Sequence, residues 1–227
     1  RGCPMIIVHH LNNSRSQRIL WLLEELGLEY EIKKYMRDAT TMRAPAELMA
    51  VHPLGKSPVI SDGDINVAES GAIIEYLVDT YGPALKPEAG TEAYRRYIYW
   101  LHFSEGSLMP PLLMKLLMNQ IKSAPAPFFV KPVAKRIAKR VEERFIGPEL
   151  VKLFGYIEAE LTAHEWFAGD TFTGADIQMS FPLEAAAARG GLDKSQVKIQ
   201  AWVNRIHARP AYQRALERGG EYGIIGN

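Results

Sequence analysis

The stretch MIIVHHLNNSRSQRILWLLEELGLEYEIKKY, residues 5–35, decides the fold of the first part of the chain. The run of residues 5–9 is short, rich in branched side chains and bounded by polar residues, which predicts a short buried strand. Apolar side chains then recur at helical spacing over residues 19–26, and Gly27 is a residue type that ends helices. Alternating apolar positions over residues 29–35 predict a second strand. The stretch therefore predicts a strand, a helix and a second strand.

A hairpin and a helix follow this unit. Two short apolar pieces, residues 59–60 and 65–67, flank an Asp-Gly pair, and Asp-Gly is a strong hairpin signal. Ser70 is then the expected N-cap of a helix that ends near Gly82. Strand, helix, strand, hairpin and helix in this order predict a four-stranded mixed sheet with helices packed on it. This α/β domain is expected over residues 5–82.

Strand signals fade after a Pro- and Gly-containing linker at residues 83–91, and residues 92–227 predict an all-helical domain. Pro110-Pro111 is expected to kink or break its first helix, and residues 124–129 interrupt the pattern again. Residues 131–163 predict a long helix with an interruption near residue 147. The fold class is therefore α/β plus all-α. Three further helices are expected at residues 174–188, at residues 195–208, and from about residue 210.

Composition restricts the possible functions of the 227-residue chain. Its net charge is +1, so a dedicated nucleic-acid binder is not expected, although six Lys and Arg lie between residues 131 and 144. That basic segment predicts a solvated helical face. Cys3 is the one cysteine, which leaves no disulfide framework and fits a cytoplasmic location. The histidines lack metal-ligand spacing, and no apolar run reaches membrane-spanning length. We therefore expect no metal, no nucleic acid and no membrane partner.

Three short motifs each allow a structural and a functional interpretation. Ser14 with Gln17 three residues later is a capping-box pattern, so Ser14 is the expected N-cap of the first helix. Pro58 opens a strand, and a cis bond there would leave the backbone of the preceding residue free to pair with a peptide. Glu69-Ser70 opens a helix whose N–H groups are either simply capped or available to a carboxylate.

The motif FTGADI, residues 172–177, is interpreted as structural. Thr173 is a helix cap and Asp176 reciprocates three residues later, while Phe172 and Ile177 occupy the positions of a hydrophobic staple. This pattern predicts a buried helix that starts abruptly.

Four segments in this order resemble the glutathione transferases over about residues 5–220. The resemblance implies a thioredoxin-like N-terminal domain, an all-helical C-terminal domain and a homodimer. It also implies an enzyme that conjugates glutathione, its co-substrate, to small hydrophobic electrophiles. The first motif is of the serine type and is most similar to theta-like or beta-like bacterial and fungal members. The four segments are NNSRSQRILWLLEELGLEYE, HPLGKSPVI, AESGAIIEYL and FTGADI.

The resemblance also implies a binding site for each part of glutathione. A cis Pro58 would let the backbone of Ser57 hold the cysteinyl part. Glu69 and Ser70 would hold the γ-glutamyl end. The glycyl carboxylate would face Lys56 and Arg43. The family usually has Asn at the position of His52, so His52 receives no ligand role.

Ser14 is the expected catalytic residue. A thiol at the start of the first helix meets backbone N–H groups and the positive end of the helix dipole, and both favour thiolate. A hydrogen bond from Ser14 would stabilise that thiolate further. Ser16 or Asn13 remain alternatives for this task.

The electrophile is expected between the two domains. The candidates to line that site are Tyr97, Trp100, Phe103 and Met109, and the alternative interpretation of each is helix core.

Two other functions remain open on the sequence alone. One is glutathione-dependent reduction of disulfides or peroxides, and the other is a non-catalytic binding or assembly domain. A ring-cleavage isomerase is disfavoured, because the serine- and cysteine-rich first motif of that branch is absent.

Overall fold

The computed structural model describes residues 5–38, 40–41, 43–188 and 191–224. Its first part contains a four-stranded mixed sheet with the strand order β2-β1-β3-β4. β1 runs parallel to β2 and antiparallel to β3, and β3 runs antiparallel to β4. This arrangement confirms the predicted mixed sheet. The strands are β1 Ile6–Leu11, β2 Tyr30–Tyr35, β3 Val59–Asp62 and β4 Ile65–Ala68.

Three α-helices accompany the sheet and seven follow it within the described residues, which confirms an α/β part followed by an all-helical part. A 3₁₀ turn at Pro83–Leu85 lies between the two parts. The helices are α1 Ser16–Leu26, α2 Ala46–Val51, α3 Ser70–Tyr81, α4 Glu92–Phe103, α5 Met109–Ser123, α6 Lys131–Val141, α7 Gly147–Ala163, α8 Gly174–Ala188, α9 Val197–His207 and α10 Pro210–Gly219.

The starts of α1 and α3 correct two predicted caps. Arg15, not Ser14, occupies the N-cap position of α1, and Glu69, not Ser70, occupies that of α3; neither makes a side-chain cap bond. The chain turns at each of these two starts through a non-glycine residue with positive φ. Among the described positions these residues are Asn13 at 50° and Glu69 at 71°. The hydroxyls of Ser14 and Ser70 are therefore directed to other partners, which are described with the site.

The helical part contains two wide turns where the sequence predicts interruptions. Ser104–Leu108 forms a π-helical turn directly before α5, and Pro110 and Pro111 lie in the first turn of α5, where proline needs no N–H partner. A second π-helical turn, Glu142–Ile146, separates α6 from α7. α2 was not predicted, because it has six residues and buries only Leu48.

The FTGADI motif forms the cap that the sequence predicts. The Thr173 N–H donates to Asp176 Oδ2 at 2.9 Å, and Thr173 Oγ1 accepts from the Ala175 N–H at 3.3 Å. Asp176 also receives the Phe167 N–H at 3.1 Å and the Trp202 indole N–H at 3.4 Å. Burial raises the pKa of Asp176 to about 6, although the hydrogen bonds from Phe167, Thr173 and Trp202 oppose the shift.

α10 packs on α1. Arg209, which directly precedes α10, forms a two-bond ion pair with Glu25 of α1, at 2.5 and 2.9 Å. Arg214 and Arg218 reach Glu24 at 2.7 and 3.0 Å. One hydrophobic cluster runs without a break from the sheet through α1 into the helical part. The two parts of the chain therefore share a core.

Candidate functional site

Ser14 lies in the loop that joins β1 to α1, and its hydroxyl is at the centre of a polar cluster. Ser14 Oγ accepts the Ser16 N–H at 3.2 Å and lies 2.7 Å from Ser16 Oγ. It also lies 3.4 Å from Ser57 Oγ, across the domain. Ser57 Oγ donates to the His9 carbonyl at 3.0 Å. The hydrogen of Ser57 is therefore engaged, and Ser14 is left as the donor in any bond between the two.

A buried histidine lies behind this cluster. His10 Nδ1 lies 2.9 Å from Ser16 Oγ, and the ring also bonds the Gly219 backbone. Burial and the nearby charge of Lys34 lower the pKa of His10 to about 4, so the ring is neutral near pH 7. A carbonyl can only accept, which assigns the ring proton to the nitrogen facing Gly219 and makes Nδ1 an acceptor for Ser16. The hydroxyl of Ser16 is consequently committed to His10.

The Ser57–Pro58 bond is cis, and it stands directly before β3. Pro58 and the first residues of β3 are buried, whereas Ser57 is half-buried beside Ser14. In this position the backbone of Ser57 borders the cleft described below. The structure therefore confirms the cis bond, which the resemblance implied.

Ser70 at the start of α3 is held by an arginine of α1. The guanidinium of Arg18 is buried, donates to Ser70 Oγ, and donates to the Gln178 carbonyl of α8 at 2.6 Å. Its Nη2 also lies 2.5 Å from Glu105 Oε1. Arg18 thereby joins three elements at the point where α3 presents its N-terminal N–H groups.

Glu105, in the π-helical turn, forms ion pairs with two arginines of the first motif. Arg15 Nε lies 2.9 Å from Glu105 Oε1, the same oxygen that Arg18 contacts. Burial alone would raise the pKa of Glu105, but the charges of Arg18 and Arg15 outweigh it and hold the pKa below its ordinary value. Glu105 is therefore a carboxylate near neutral pH.

Two adjoining clefts surround these groups, and they share Arg15, Leu54, Lys56 and Ser57. The first, of about 250 Å³, contains two carboxylates, Glu69 and Glu105, beside the start of α3. The second, of about 630 Å³, contains four cationic side chains and no carboxylate among its described lining residues. Those four are Arg15, Arg37, Arg43 and Lys56.

The charges of the two clefts suit a short peptide with unlike ends. Carboxylates and a helix N-terminus together can hold an α-amino acid group, because one recognises ammonium and the other carboxylate. A cluster of cations can hold a carboxylate at the other end. Ser57 lines both clefts, whereas Ser14 is buried, lines neither of them and lies beside Ser57. The arrangement therefore places the middle of such a peptide at Ser57, next to the Ser14 hydroxyl.

All five residues expected to bind glutathione line one or both clefts. Lys56 and Ser57 line both, Glu69 and Ser70 line the first, and Arg43 lines the second.

None of the four expected electrophile-site residues lines either cleft. Tyr97 and Trp100 are buried in the helical core, where Trp100 stacks on Tyr156 at 5.4 Å between ring centroids. Phe103 is also buried and packs on Trp100. These residues are buried because the aromatic cluster around Trp100 occupies the face of α4 that was expected to face the ligand. Met109 is half-buried and packs beside Phe181.

Arg15, Arg18 and Glu105 are site residues that sequence reasoning missed. The signal for the arginines was present, because both lie in the first motif beside Ser14. Glu105 gave no signal, since its partners lie 90 and 87 positions away along the chain.

The described residues hold no group of three or more His, Cys, Asp or Glu side chains arranged to bind a metal. None of their helices combines the length and apolar character needed to cross a bilayer.

A cis-proline strand stands beside the Ser14 loop, and Glu105 of the helical part lines the first cleft, which is the arrangement of a thioredoxin-like protein with a peptide-sized cleft. Comparison with known proteins is more specific. Residues 3–79 match the model of the glutathione S-transferase N-terminal domain, and residues 118–210 match that of the C-terminal domain.

Similar proteins cover nearly the whole chain. Glutathione S-transferase 3 of Schizosaccharomyces pombe is 39% identical over 94% of this chain and 88% of its own length. Glutathione S-transferase 1 of Saccharomyces cerevisiae is 33% identical over 97% of each chain. A crystal structure of a glutathione S-transferase from Actinobacillus pleuropneumoniae is 35% identical, with a TM-score of 0.76 over 98% of this chain and 97% of that one. This chain belongs to the glutathione S-transferase family and is a transferase with glutathione as co-substrate.

Proposed function

We propose that the protein joins the thiol sulfur of glutathione to small hydrophobic electrophiles, and that Ser14 activates the sulfur. The observation that carries this proposal is the position of Ser14 Oγ, 3.4 Å from Ser57 Oγ, because Ser57 borders both the cleft that contains two carboxylates and the cleft lined by four cations. In the reaction the thiolate attacks an electron-poor carbon, a C–S bond forms, and the leaving group departs with its bonding electrons. The thiol proton passes to solvent before the attack.

The binding residues follow the charges of the clefts. Glu69, Ser70 and the start of α3 hold the γ-glutamyl end, and the Ser57 backbone holds the cysteinyl part. Arg43 and Lys56 face the glycyl carboxylate. This assignment treats residues 5–82 as the glutathione-binding domain, residues 83–91 as the linker and residues 92–227 as the domain that completes the electrophile site.

Ser14 is favoured over its two neighbours as the activating group. The hydroxyl of Ser16 is fully buried and committed to His10. The amide oxygen of Asn13 accepts the Gly223 N–H at 2.6 Å. The hydrogen of Ser14 can point to Ser16 Oγ at 2.7 Å or to Ser57 Oγ at 3.4 Å. A thiolate beside Ser57 can take that hydrogen bond instead, because a charged acceptor binds a hydroxyl more strongly than a neutral one.

The electrophile is proposed to lie beside Met109 and Phe181 rather than at Tyr97 or Trp100. Phe181 and Met109 belong to one apolar cluster, and the Arg15 guanidinium lies 4.7 Å from the centroid of the Phe181 ring. Because Arg15 lines both clefts, this cluster is continuous with the thiol site.

The first test is binding and turnover on one sample. Calorimetry should detect glutathione binding at millimolar ligand, and 1-chloro-2,4-dinitrobenzene should be converted to its glutathione conjugate. An aliphatic disulfide and a hydroperoxide serve as the competing substrates. Faster turnover of the disulfide or hydroperoxide would replace the conjugation proposal by a reductase. Binding without turnover of any substrate would indicate a binding domain.

The second test isolates Ser14. Ser14→Ala should lower turnover roughly 10- to 1,000-fold, because one hydrogen bond to developing charge is lost. The ultraviolet absorbance of bound thiolate should then rise at a higher pH than in the parent. Ser16→Ala is the matched control, and its thiolate should titrate near the parental pH. If Ser14→Ala folds, binds glutathione and titrates as the parent does, Ser14 does not activate the sulfur.

We also propose a cytoplasmic homodimer. β4 is an edge strand of the sheet and leaves Ile65 exposed, which supports a further contact at this side. Light scattering should give twice the 25.5 kDa chain mass at micromolar concentration. A monomeric mass would contradict the dimer. Fractionation of the source cells would test the compartment.

A further inference from the structure

Residues 106–141 differ in charge from the rest of the chain. They contain seven of its 27 Lys and Arg and none of its 26 Asp and Glu. The segment comprises the end of the first π-helical turn, α5, the connection, and α6. The remaining chain therefore carries a net negative charge. The basic residues predicted to form a solvated face lie on α6, at the end of this segment.

The same segment exposes large apolar side chains. Phe128 and Phe129, in the connection before α6, are 86% and 66% exposed. Val133 and Ile137 of α6 are 57% and 60% exposed, and Val130 is also exposed. We call these five residues the apolar tip. An apolar group of this kind, bordered by charge, marks an interaction surface.

The spacing on α6 places the apolar and cationic groups side by side. Val133 and Ile137 are one turn apart, and Arg136 and Arg140 follow each of them by three positions, so the four form neighbouring rows. Within the described chain, neither arginine forms an ion pair. The opposite side of α6 includes the buried Ala138, and α6 packs on α5. The exposed part of α6 therefore combines an apolar row with an unneutralised cationic row.

We propose that the apolar tip and the cationic row bind the surface of an anionic lipid bilayer. A helix with Lys and Arg beside exposed Phe and aliphatic groups lies in the interface, with the apolar groups among the acyl chains and the cations at the headgroups. The Phe128 and Phe129 rings, at the end of the helical hairpin, enter first. This is attachment to a surface and needs no spanning helix.

The chemistry of this surface favours an anionic bilayer over two other partners, a second copy of the chain and a nucleic acid. In a symmetric contact with a second copy, each cationic row would meet the same row, and like charges repel. A nucleic acid would satisfy the cations and could stack bases on Phe128 and Phe129, but its sugar-phosphate backbone would leave the aliphatic side chains of Val130, Val133 and Ile137 in water. An anionic bilayer satisfies both the charges and the aliphatic groups.

The test uses the full chain and sedimenting vesicles. Vesicles of phosphatidylcholine with about 30 mol % phosphatidylserine should bind the protein at least ~10-fold more tightly than pure phosphatidylcholine. Binding should fall as salt is raised, because screening shortens the reach of the cations. Equal binding to both vesicle types, or none to either, overturns the proposal. So does a protein that binds a single-stranded oligonucleotide and leaves the anionic vesicles unbound.

Two double variants and a control assign the effect to residues. Phe128→Ser with Phe129→Ser should weaken binding roughly 10-fold or more, since two apolar anchors are lost. Arg136→Glu with Arg140→Glu should abolish the preference for anionic vesicles. The control, Val151→Ser with Val197→Ser, removes two exposed apolar side chains outside the segment and should bind as the parent does.

Circular dichroism and the thermal midpoint establish that each variant is folded. A phenylalanine variant that is folded and binds like the parent overturns the proposal. If that variant instead halves a dimeric mass in light scattering, the apolar tip contacts a second copy, and the lipid proposal fails.

Discussion

Glu105 neutralises a guanidinium that is removed from water. The side chain of Arg18 is 1% exposed, whereas that of Glu105 is 34% exposed. Glu105→Gln leaves the buried charge of Arg18 without a carboxylate partner. We expect the free energy of unfolding to fall by about 2 kcal/mol, which is less than for a fully buried ion pair because water reaches Glu105. Urea denaturation near pH 7 measures this loss.

A second ion pair between helices provides the control for Glu105. Arg96 and Glu160 are 20% and 22% exposed, so neither charge is fully buried. Glu160→Gln should cost less than about 1 kcal/mol. Equal losses in the two variants would show that Arg18 is not dependent on Glu105.

Single residues of the site were predictable where a local motif held them. Lys56, Ser57 and Glu69 were assigned from the resemblance of two short segments to the glutathione transferases, and the structure places all three at the clefts. Glu105 was not predictable, because its pairing depends on how α4 and the following turn meet α1. The same limit applies to Tyr97, whose helical spacing fits a core and a ligand face equally well.

At the scale of elements, α8 meets α3 and α4 too closely for a side chain at Gly174. A Cβ there would lie 2.9 Å from Ile74 Cγ2 and 3.3 Å from the Tyr97 hydroxyl. Gly174→Ala should therefore lower the free energy of unfolding by about 1 to 3 kcal/mol through overpacking. Thermal or urea unfolding measures the change.

Gly155 offers the matched substitution. It lies within α7, and a Cβ there would meet nothing within 4 Å. Gly155→Ala should raise stability by about 0.5 to 1 kcal/mol, because alanine is the better helix former. The prediction for Gly174 fails if both variants shift in the same direction.

Helices and strands with a strong hydrophobic period or a clear cap motif were predicted well, whereas short elements with little buried surface were not. α8 was placed at residues 174–188 because FTGADI specifies its start and apolar residues fill its length. α2 has six residues and one buried side chain, so no period could reveal it. Ser14 was assigned as a cap from its capping-box spacing to Gln17, and Ser70 from its residue type at the start of an apolar run. The positive φ angles of Asn13 and Glu69, which shift both starts, leave no pattern in a single sequence.

At the scale of the whole molecule, Glu24 helps α10 hold the N-terminal part. Burial raises the pKa of Glu24, but hydrogen bonds from Arg214, Tyr30 and Arg218 outweigh it, so the pKa lies below its ordinary value of 4.5. A carboxyl with a lowered pKa in the folded state stabilises it above the unfolded pKa, and this contribution is lost as the pH falls through the folded value.

Glu24→Gln should accordingly cost about 1 kcal/mol near pH 7, since its arginine partners are partly exposed. The difference from the parent should shrink as the pH falls below 4.5. Urea denaturation at several pH values measures it, and Glu29→Gln, at an exposed position, is the control. A difference that grows on acidification would contradict the assigned sign.

The packing of α10 on α1 also governs when the protein can first work. The Ser14 loop takes a hydrogen bond from Gly223, which lies 210 positions after Asn13, and His10 behind the loop bonds Gly219. At ordinary translation rates, roughly 10 to 40 s separate the synthesis of the loop from that of these partners. During that interval Trp21, which later meets the Tyr212 ring at 5.3 Å, has no α10 to cover it. A nascent chain is therefore exposed to chaperones and proteases until α10 leaves the ribosome, and a message truncated before residue 210 yields no active product.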